Sequence, residues 1–288
     1  MQSLFQLIML IPTTLMVLSW IYIALKYEEK FQQITETIDA KEYYMSELFY
    51  IGFQLLEIIH FNIKSDHSRK QVKLMSEVYG KKYAEYYYYV LIGGQVTYMV
   101  TIIPLVCLLA LLANNPGALF FGLVIGILLV WYLSESFKDK LTARREKLLS
   151  DLPQMLSKLT LLVNSGMLLR DAWNLVAKQG NSILFQEMQL TAVQLDNGVS
   201  EYNAYREFAE RCGLKEVRKF ASLVVQGLEK GGSELTFFLK DMSDEMWLEK
   251  KNMVKRKGEQ ANSKLLIPTL IIFAGILVMI MAPILMGL

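Results

Sequence analysis

Very few residues in this chain could do chemistry on a substrate. Thiols and imidazoles are the usual nucleophiles, general bases and metal ligands, and the chain has two of each: Cys107, Cys212, His60 and His67. Cys107 lies inside a long apolar block and Cys212 in a charged segment, so no disulfide between them is expected. His60 and His67 stand seven positions apart with no cysteine nearby, which is not metal-ligand spacing. Both are expected at a surface or an interface. No G-x-x-x-x-G-K-[ST] phosphate loop, no H-E-x-x-H and no G-x-S-x-G occurs. The apolar blocks carry no carboxylate, lysine or arginine, although ion pathways and intramembrane aspartyl proteases need such groups. The expectation is a protein that is not an enzyme, holds no metal or other cofactor, and acts through position and shape.

The elements that set position are legible in those blocks. The chain is 53% hydrophobic, and its apolar residues are gathered into long uncharged runs. Leu4 to Leu25, Tyr86 to Ser134 and Leu265 to Leu288 contain no Asp, Glu, Lys, Arg or His. A spanning helix needs roughly 20 predominantly apolar residues, which a soluble core helix rarely sustains. The middle run is too long for one span and is interrupted by Asn114-Asn115-Pro116-Gly117, which has turn chemistry. It reads as a helical hairpin, about Tyr87 to Ala113 and about Ala118 to Tyr132; three spans with a re-entrant middle run is the other possibility. The first run ends in Trp20-Ile21-Tyr22-Ile23 with no basic residue before Lys26, so it reads as a retained anchor rather than a cleaved signal.

Orientation follows from the basic residues, all of which lie between Lys26 and Lys82 or between Lys138 and Lys264. By the positive-inside rule both segments are cytoplasmic, which places both termini outside. Trp20, Tyr22, the run Tyr86 to Tyr89, Trp131 and Tyr132 then fall at cytoplasmic span ends, where amphipathic rings favour the headgroup level. The dense flanks include Arg144, Arg145 and Lys147 on one side and Lys255, Arg256 and Lys257 on the other, placed to meet anionic lipid heads. A formal charge of +2 gives no reason to expect nucleic acid as a partner.

The predicted layout is an all-α membrane protein with about four transmembrane helices and a cytoplasmic six-helix antiparallel bundle. Its parts are a first span (1–25), a cytoplasmic helical segment (26–85), a transmembrane hairpin (86–134), the bundle (135–264) and a last span (265–288). In the first cytoplasmic segment Leu48, Ile51, Leu55 and Ile58 or Ile59 make one helical stripe. A second helix, capped by Ser65 or Asp66, could run directly into the Tyr86 span. In the bundle, apolar stripes at i, i+3, i+4, i+7 are closed by Asn164-Ser165-Gly166, Gly180, Asn197-Gly198, Gly213 and Gly231-Gly232. Ser200 and Ser233 are the expected caps of the helices they precede, and Trp173 and Trp247 the expected core.

Leu152-Pro153 through Leu162-Val163-Asn164-Ser165-Gly166-Met167-Leu168-Leu169-Arg170-Asp171-Ala172 resembles the opening of the type II secretion F domain. Asn197-Gly198-Val199-Ser200 is similar to that family's central glycine turn, and Gly227 to Leu235, containing Gly231-Gly232, to its second. Lys264-Leu265-Leu266-Ile267-Pro268 is similar to the entry into its last span. The resemblance covers about Leu148 to Leu288. One such domain between spans looks like the layout of Flp or Tad (tight-adherence) pilus platform proteins. A glycine–glutamate–x–x–glycine signature of other relatives is replaced here by Glu229-Lys230-Gly231-Gly232, so no metal site is carried over.

The resemblance implies an inner-membrane platform protein at the base of a pilus or type II-like secretion machine. Its implied partners are a cytoplasmic hexameric ATPase, pilin subunits, a paralogous platform protein and the lipid bilayer, within a homo- or hetero-oligomer. A pilin's hydrophobic segment could approach closely at Gly93-Gly94, Gly122 and Gly126; equally, those glycines could serve packing within this chain. A transporter or channel subunit is the alternative, but it would need intramembrane polar groups or inverted repeats, and neither is seen.

Overall fold

The computed structural model describes residues 2–35, 38, 43, 45–63, 65–113, 117–230 and 232–285. Among them are ten α-helices, one short 3-10 turn and no strand. The chain divides into two compact units, Met1–Arg144 and Arg145–Leu288. Four helices are long and apolar enough to cross a membrane, with candidate stretches in Leu10–Gln32, Ala84–Leu112, Phe120–Asn164 and Glu234–Met281. The architecture is that of an all-α membrane protein. The expected turn at Asn114 to Pro116 lies outside the described residues.

The first unit holds α1 (Gln2–Thr35), α2 (Phe49–Ile58), α3 (Asp66–Tyr79), α4 (Ala84–Leu112) and the beginning of α5 (Gly117–Asn164). Helix α1 continues ten residues past Leu25, because Lys26 to Gln33 contains good helix formers and no breaker. Ser65 caps α3 by accepting from the Ser68 amide at 3.2 Å. Gly80 then ends α3 at φ 79°, so α3 does not run into the span; α4 begins only at Ala84.

Helix α2 buries more than the stripe its periodicity suggested: Leu48 and Leu55 of that stripe pack against the core, and further residues join them. Phe49, Ile51, Phe53 and Leu56 are buried, while Ile58 and Ile59 stand 57% and 70% exposed. The reason is a close crossing with α4. A Cβ added to Gly52 would lie 2.0 Å from the carbonyl oxygen of Gly93, and the Gly52 amide donates to Thr97 Oγ1 at 3.1 Å. The Phe53 ring covers Gly93 and the Phe49 ring covers Gly94. Likewise Gly122 meets Val106 and Gly126 meets Ile102 across the α4–α5 seam. Gly93, Gly94, Gly122 and Gly126 are therefore committed to packing within this chain.

The second unit holds the rest of α5 with α6 (Leu169–Ala177), α7 (Ile183–Asp196), α8 (Glu201–Cys212), α9 (Lys215–Lys230) and α10 (Gly232–Leu285). Its core centres on Trp173, whose ring lies edge-on to Tyr205 and Phe208 at 5.0 Å and stacks on Phe220 at 6.0 Å. The Trp173 indole donates to the Met188 carbonyl at 3.0 Å, which satisfies its one buried donor. Trp247 is not core: it is 47% exposed and donates to Ser157 Oγ at 2.8 Å on the α5–α10 seam. Gly180 does not close a helix either. Helix α6 already ends at Ala177, and a Cβ on Gly180 would strike the Phe185 ring.

Two elements are longer than expected. Helix α5 runs 48 residues from its apolar start into the bundle, and α10 runs 54 residues from the bundle to its apolar end. No glycine or proline separates Tyr132 from Leu152, and α10 meets only Gly258 before Pro268. With nothing to break the hydrogen-bond ladder, bundle helix and span fuse. Ser233, expected as a cap, lies inside the first turn of α10.

Candidate functional site

Two ends of the second unit hold the residues singled out from the sequence. The far end is built from glycine turns. Asn164 is the last residue of α5 and Ser165 follows it, with its hydroxyl donating to the Leu162 carbonyl at 2.7 Å. Gly166 takes φ 92°; its amide donates to Val163 and the Met167 amide to Leu162, a paired closure that consumes orphan carbonyls. Gly198, at φ 83°, repeats the arrangement behind α7, with donations to Leu195 and Gln194. Gly232 opens α10, and Gly231 lies outside the described residues.

Arg170 ties the first two turns together. It stands one residue into α6, just past the Gly166 turn, and its Nη2 donates to the Leu195 carbonyl at 2.8 Å. The same nitrogen reaches Asp196 Oδ1 at 3.1 Å. A guanidinium on the last carbonyls of a helix satisfies them and complements the helix dipole. A second arginine stiffens the neighbouring pair of helices. Arg211 on α8 pairs with Glu187 at 2.8 Å and donates to Thr191 Oγ1 at 2.7 Å, both on α7. Gln194 of α7 donates back to Glu207 at 2.6 Å. Beneath them Tyr205 is fully buried and its hydroxyl has no partner. Burial, with Glu201 adding to it, holds that phenol well above its usual range.

The near end is built from α5 and α10 running antiparallel. Ser157 meets Ser243 at 2.9 Å, Lys250 donates to the Ser150 carbonyl at 2.7 Å, and Lys257 pairs with Glu146 at 2.5 Å. That register brings Arg145 and Lys147 of α5 level with Lys255, Arg256 and Lys257 of α10; Arg144 is the last residue of the first unit. Lys257 precedes the uncharged run at Leu265 by about 12 Å of helix, and Gly232 precedes it by about 50 Å. The basic cluster is thus near the apolar end of α10, and the glycine turns are remote from it. Exposed ion pairs of this kind contribute about 0–1 kcal/mol each, so they fix register more than stability.

Residues 155–283 match the family model for type II secretion system (T2SS), protein F. The matched segment starts in α5, takes in every glycine turn just described, and ends within the apolar part of α10. No curated protein matches the chain, and no solved structure does.

Among the described residues no group of three or more His, Cys, Asp or Glu side chains could hold a metal ion. Arg170 appeared in the sequence motif, but its role as a clasp between two turns did not. Arg211 gave no signal beyond a glutamate four residues earlier. Both roles depend on which helix end lies beside which, and side-chain spacing along the chain does not carry that.

Proposed function

We propose that this chain is a platform protein of the inner (cytoplasmic) membrane in a pilus or type II-like secretion machine. In this reading it couples a cytoplasmic hexameric ATPase to extraction and assembly of pilin subunits. The observation that carries it is the family match over residues 155–283 on a bundle whose last helix continues unbroken into an apolar stretch. A rigid bundle fused to such a helix passes a push or rotation at its far end to the membrane without a flexible joint.

The two charged segments face the cytoplasm, the termini face outward, and the chain assembles with itself or with a paralogous platform protein. The Flp/Tad layout, one F domain between spans, is the subtype we favour. Because Gly93, Gly94, Gly122 and Gly126 are occupied within the chain, the pilin contact falls on the apolar part of α10, exposed from Leu265 to Met281. There van der Waals packing is the main attraction. Deleting the gene in a piliated host and restoring it on a plasmid tests the role. Loss of surface fibres with pilin retained in the inner membrane is expected, and undiminished fibres would refute it.

A further inference from the structure

Three helices of the first unit change character at one common level. Helices α1 and α4 run antiparallel: the Trp20 indole donates to Thr101 Oγ1 at 3.2 Å, and the Tyr86 hydroxyl donates to the Ile34 carbonyl at 3.3 Å. Helices α4 and α5 are antiparallel too, with Val106 on Gly122, Ile102 on Gly126, and Gln95 Nε2 donating to Ser134 Oγ at 2.7 Å. On these registers Leu25, where the uncharged run of α1 stops, lies level with Gln95. Ser134, where the uncharged run of α5 stops, also lies level with Gln95. Yet the uncharged run of α4 continues past Gln95 to Tyr86.

Exposure changes at the same level, independently of charge. Within this unit, large exposed apolar side chains occur on α1 up to Leu25, on the part of α5 before Arg144 up to Tyr132, and on α4 only from Met99 onward. Between Ala84 and Tyr98, α4 exposes no large apolar side chain, because α2 and α3 cover it. The Tyr89 hydroxyl donates to the Phe53 carbonyl, the Tyr88 hydroxyl to Ser68, and the Tyr87 ring stacks on Tyr79. These tyrosines are tied into a protein core and are not a ring of headgroup anchors.

We infer that the lipid–water boundary crosses the first unit at Lys26, Gln95 and Glu135, about nine residues deeper along α4 than its uncharged run indicates. The first turns of α4, the end of α1, α2 and α3 then form a membrane-proximal domain on the water side. What remains of α4, Gln95 to Leu112, is about 27 Å long, the same as the uncharged part of α5 from Gly117 to Ser134, and close to a hydrocarbon core of about 30 Å. A boundary at Tyr86 would instead sink the exposed Lys26, Glu28, Glu29 and Lys30 of α1, with Lys138 and Asp139 of α5, into lipid. Ionised side chains at such depth face a protein interior or a water-filled cavity.

Nitroxide labels on the full-length protein test this, in vesicles of phosphatidylethanolamine and phosphatidylglycerol. Single cysteines at Glu29, Asp139, Leu18, Met99 and Ile127 in a Cys107→Ala, Cys212→Ala background would be read for collision with oxygen and with a water-soluble nickel chelate. The oxygen-to-chelate ratio is expected to be several-fold higher at Leu18, Met99 and Ile127 than at Glu29 and Asp139. An oxygen-rich Glu29 or Asp139 would overturn the common boundary. Labels at Gln32 and Thr142, also exposed and on the same side, answer the question where a first variant fails to fold.

Discussion

Replacing Gly52 by alanine should separate two helices that nothing else lets approach so closely. Alanine is the better helix former by about 1 kcal/mol, so local propensity alone predicts a gain. The crossing reverses the sign. The new methyl would lie 2.0 Å from the Gly93 carbonyl oxygen and 2.5 Å from Thr97 Oγ1. The nearer atom is backbone and cannot swing away, so α2 and α4 have to part by more than an ångström. That strains a packed seam, costing about 1–3 kcal/mol, and weakens the Gly52–Thr97 hydrogen bond, worth about 1 kcal/mol. The net loss is about 1–3 kcal/mol. Gly258→Ala is the matched control: it sits in mid-helix with nothing within 4 Å of the added Cβ, so only the propensity gain remains. Thermal unfolding of the detergent-solubilised full chain should show a lower Tm for Gly52→Ala and an equal or higher one for Gly258→Ala. If Gly52→Ala matches its parent, α2 does not cross α4 at Gly93 and the described core of the first unit is wrong.

Gly166→Val should lower Tm through backbone strain alone, about 1–3 kcal/mol, since φ is 92° and no atom lies within 4 Å of the new Cβ. Asn at the same position should be milder, and identical behaviour of the two variants would remove the strain argument. Tyr205→Phe should stabilise the protein by about 1 kcal/mol, because it deletes a buried hydroxyl that has no partner. The Tyr205 phenol titrates higher folded than unfolded, so stability is unaffected by its ionisation below the unfolded value of about 10 and falls as pH rises from there through the folded value. The phenylalanine variant should therefore lose less stability than its parent between neutral pH and pH about 11; equal losses would contradict it. Arg211→Ala should cost about 2–3 kcal/mol by leaving Glu187 poorly paired, measured as a shift in the same unfolding transition.

Long apolar runs, turn glycines and bundle stripes were legible because each is a local property of the chain. Ser65 and Ser200 are caps for the same reason, their side chains reaching amides three residues on. What was not legible depends on contacts between distant segments. The run from Tyr86 is uncharged and lies in a helix apolar enough to span, but a residue buried under α2 needs no charge either, so the boundary we infer rests on contacts. Composition does not separate burial in protein from burial in lipid. Trp247 followed the apolar stripe of α10 and still lies at the surface, because the neighbouring Ser157 offers its indole a partner at the edge of the seam. The fusion of bundle helices with spans in α5 and α10 was written in the absence of breakers, a weaker sign than their presence. At the far end of the bundle the two glycine turns were readable individually; the Arg170 clasp was not.

The platform account is tested most directly by purifying the full-length chain from a piliated host in mild detergent after in-cell photocrosslinking from the apolar part of α10, at Ile271 and Val278. The account predicts that a hexameric assembly ATPase copurifies and that crosslinks form to the hydrophobic segment of a pilin. It is contradicted if neither is recovered and the same protein, placed in vesicles, moves a solute across the bilayer.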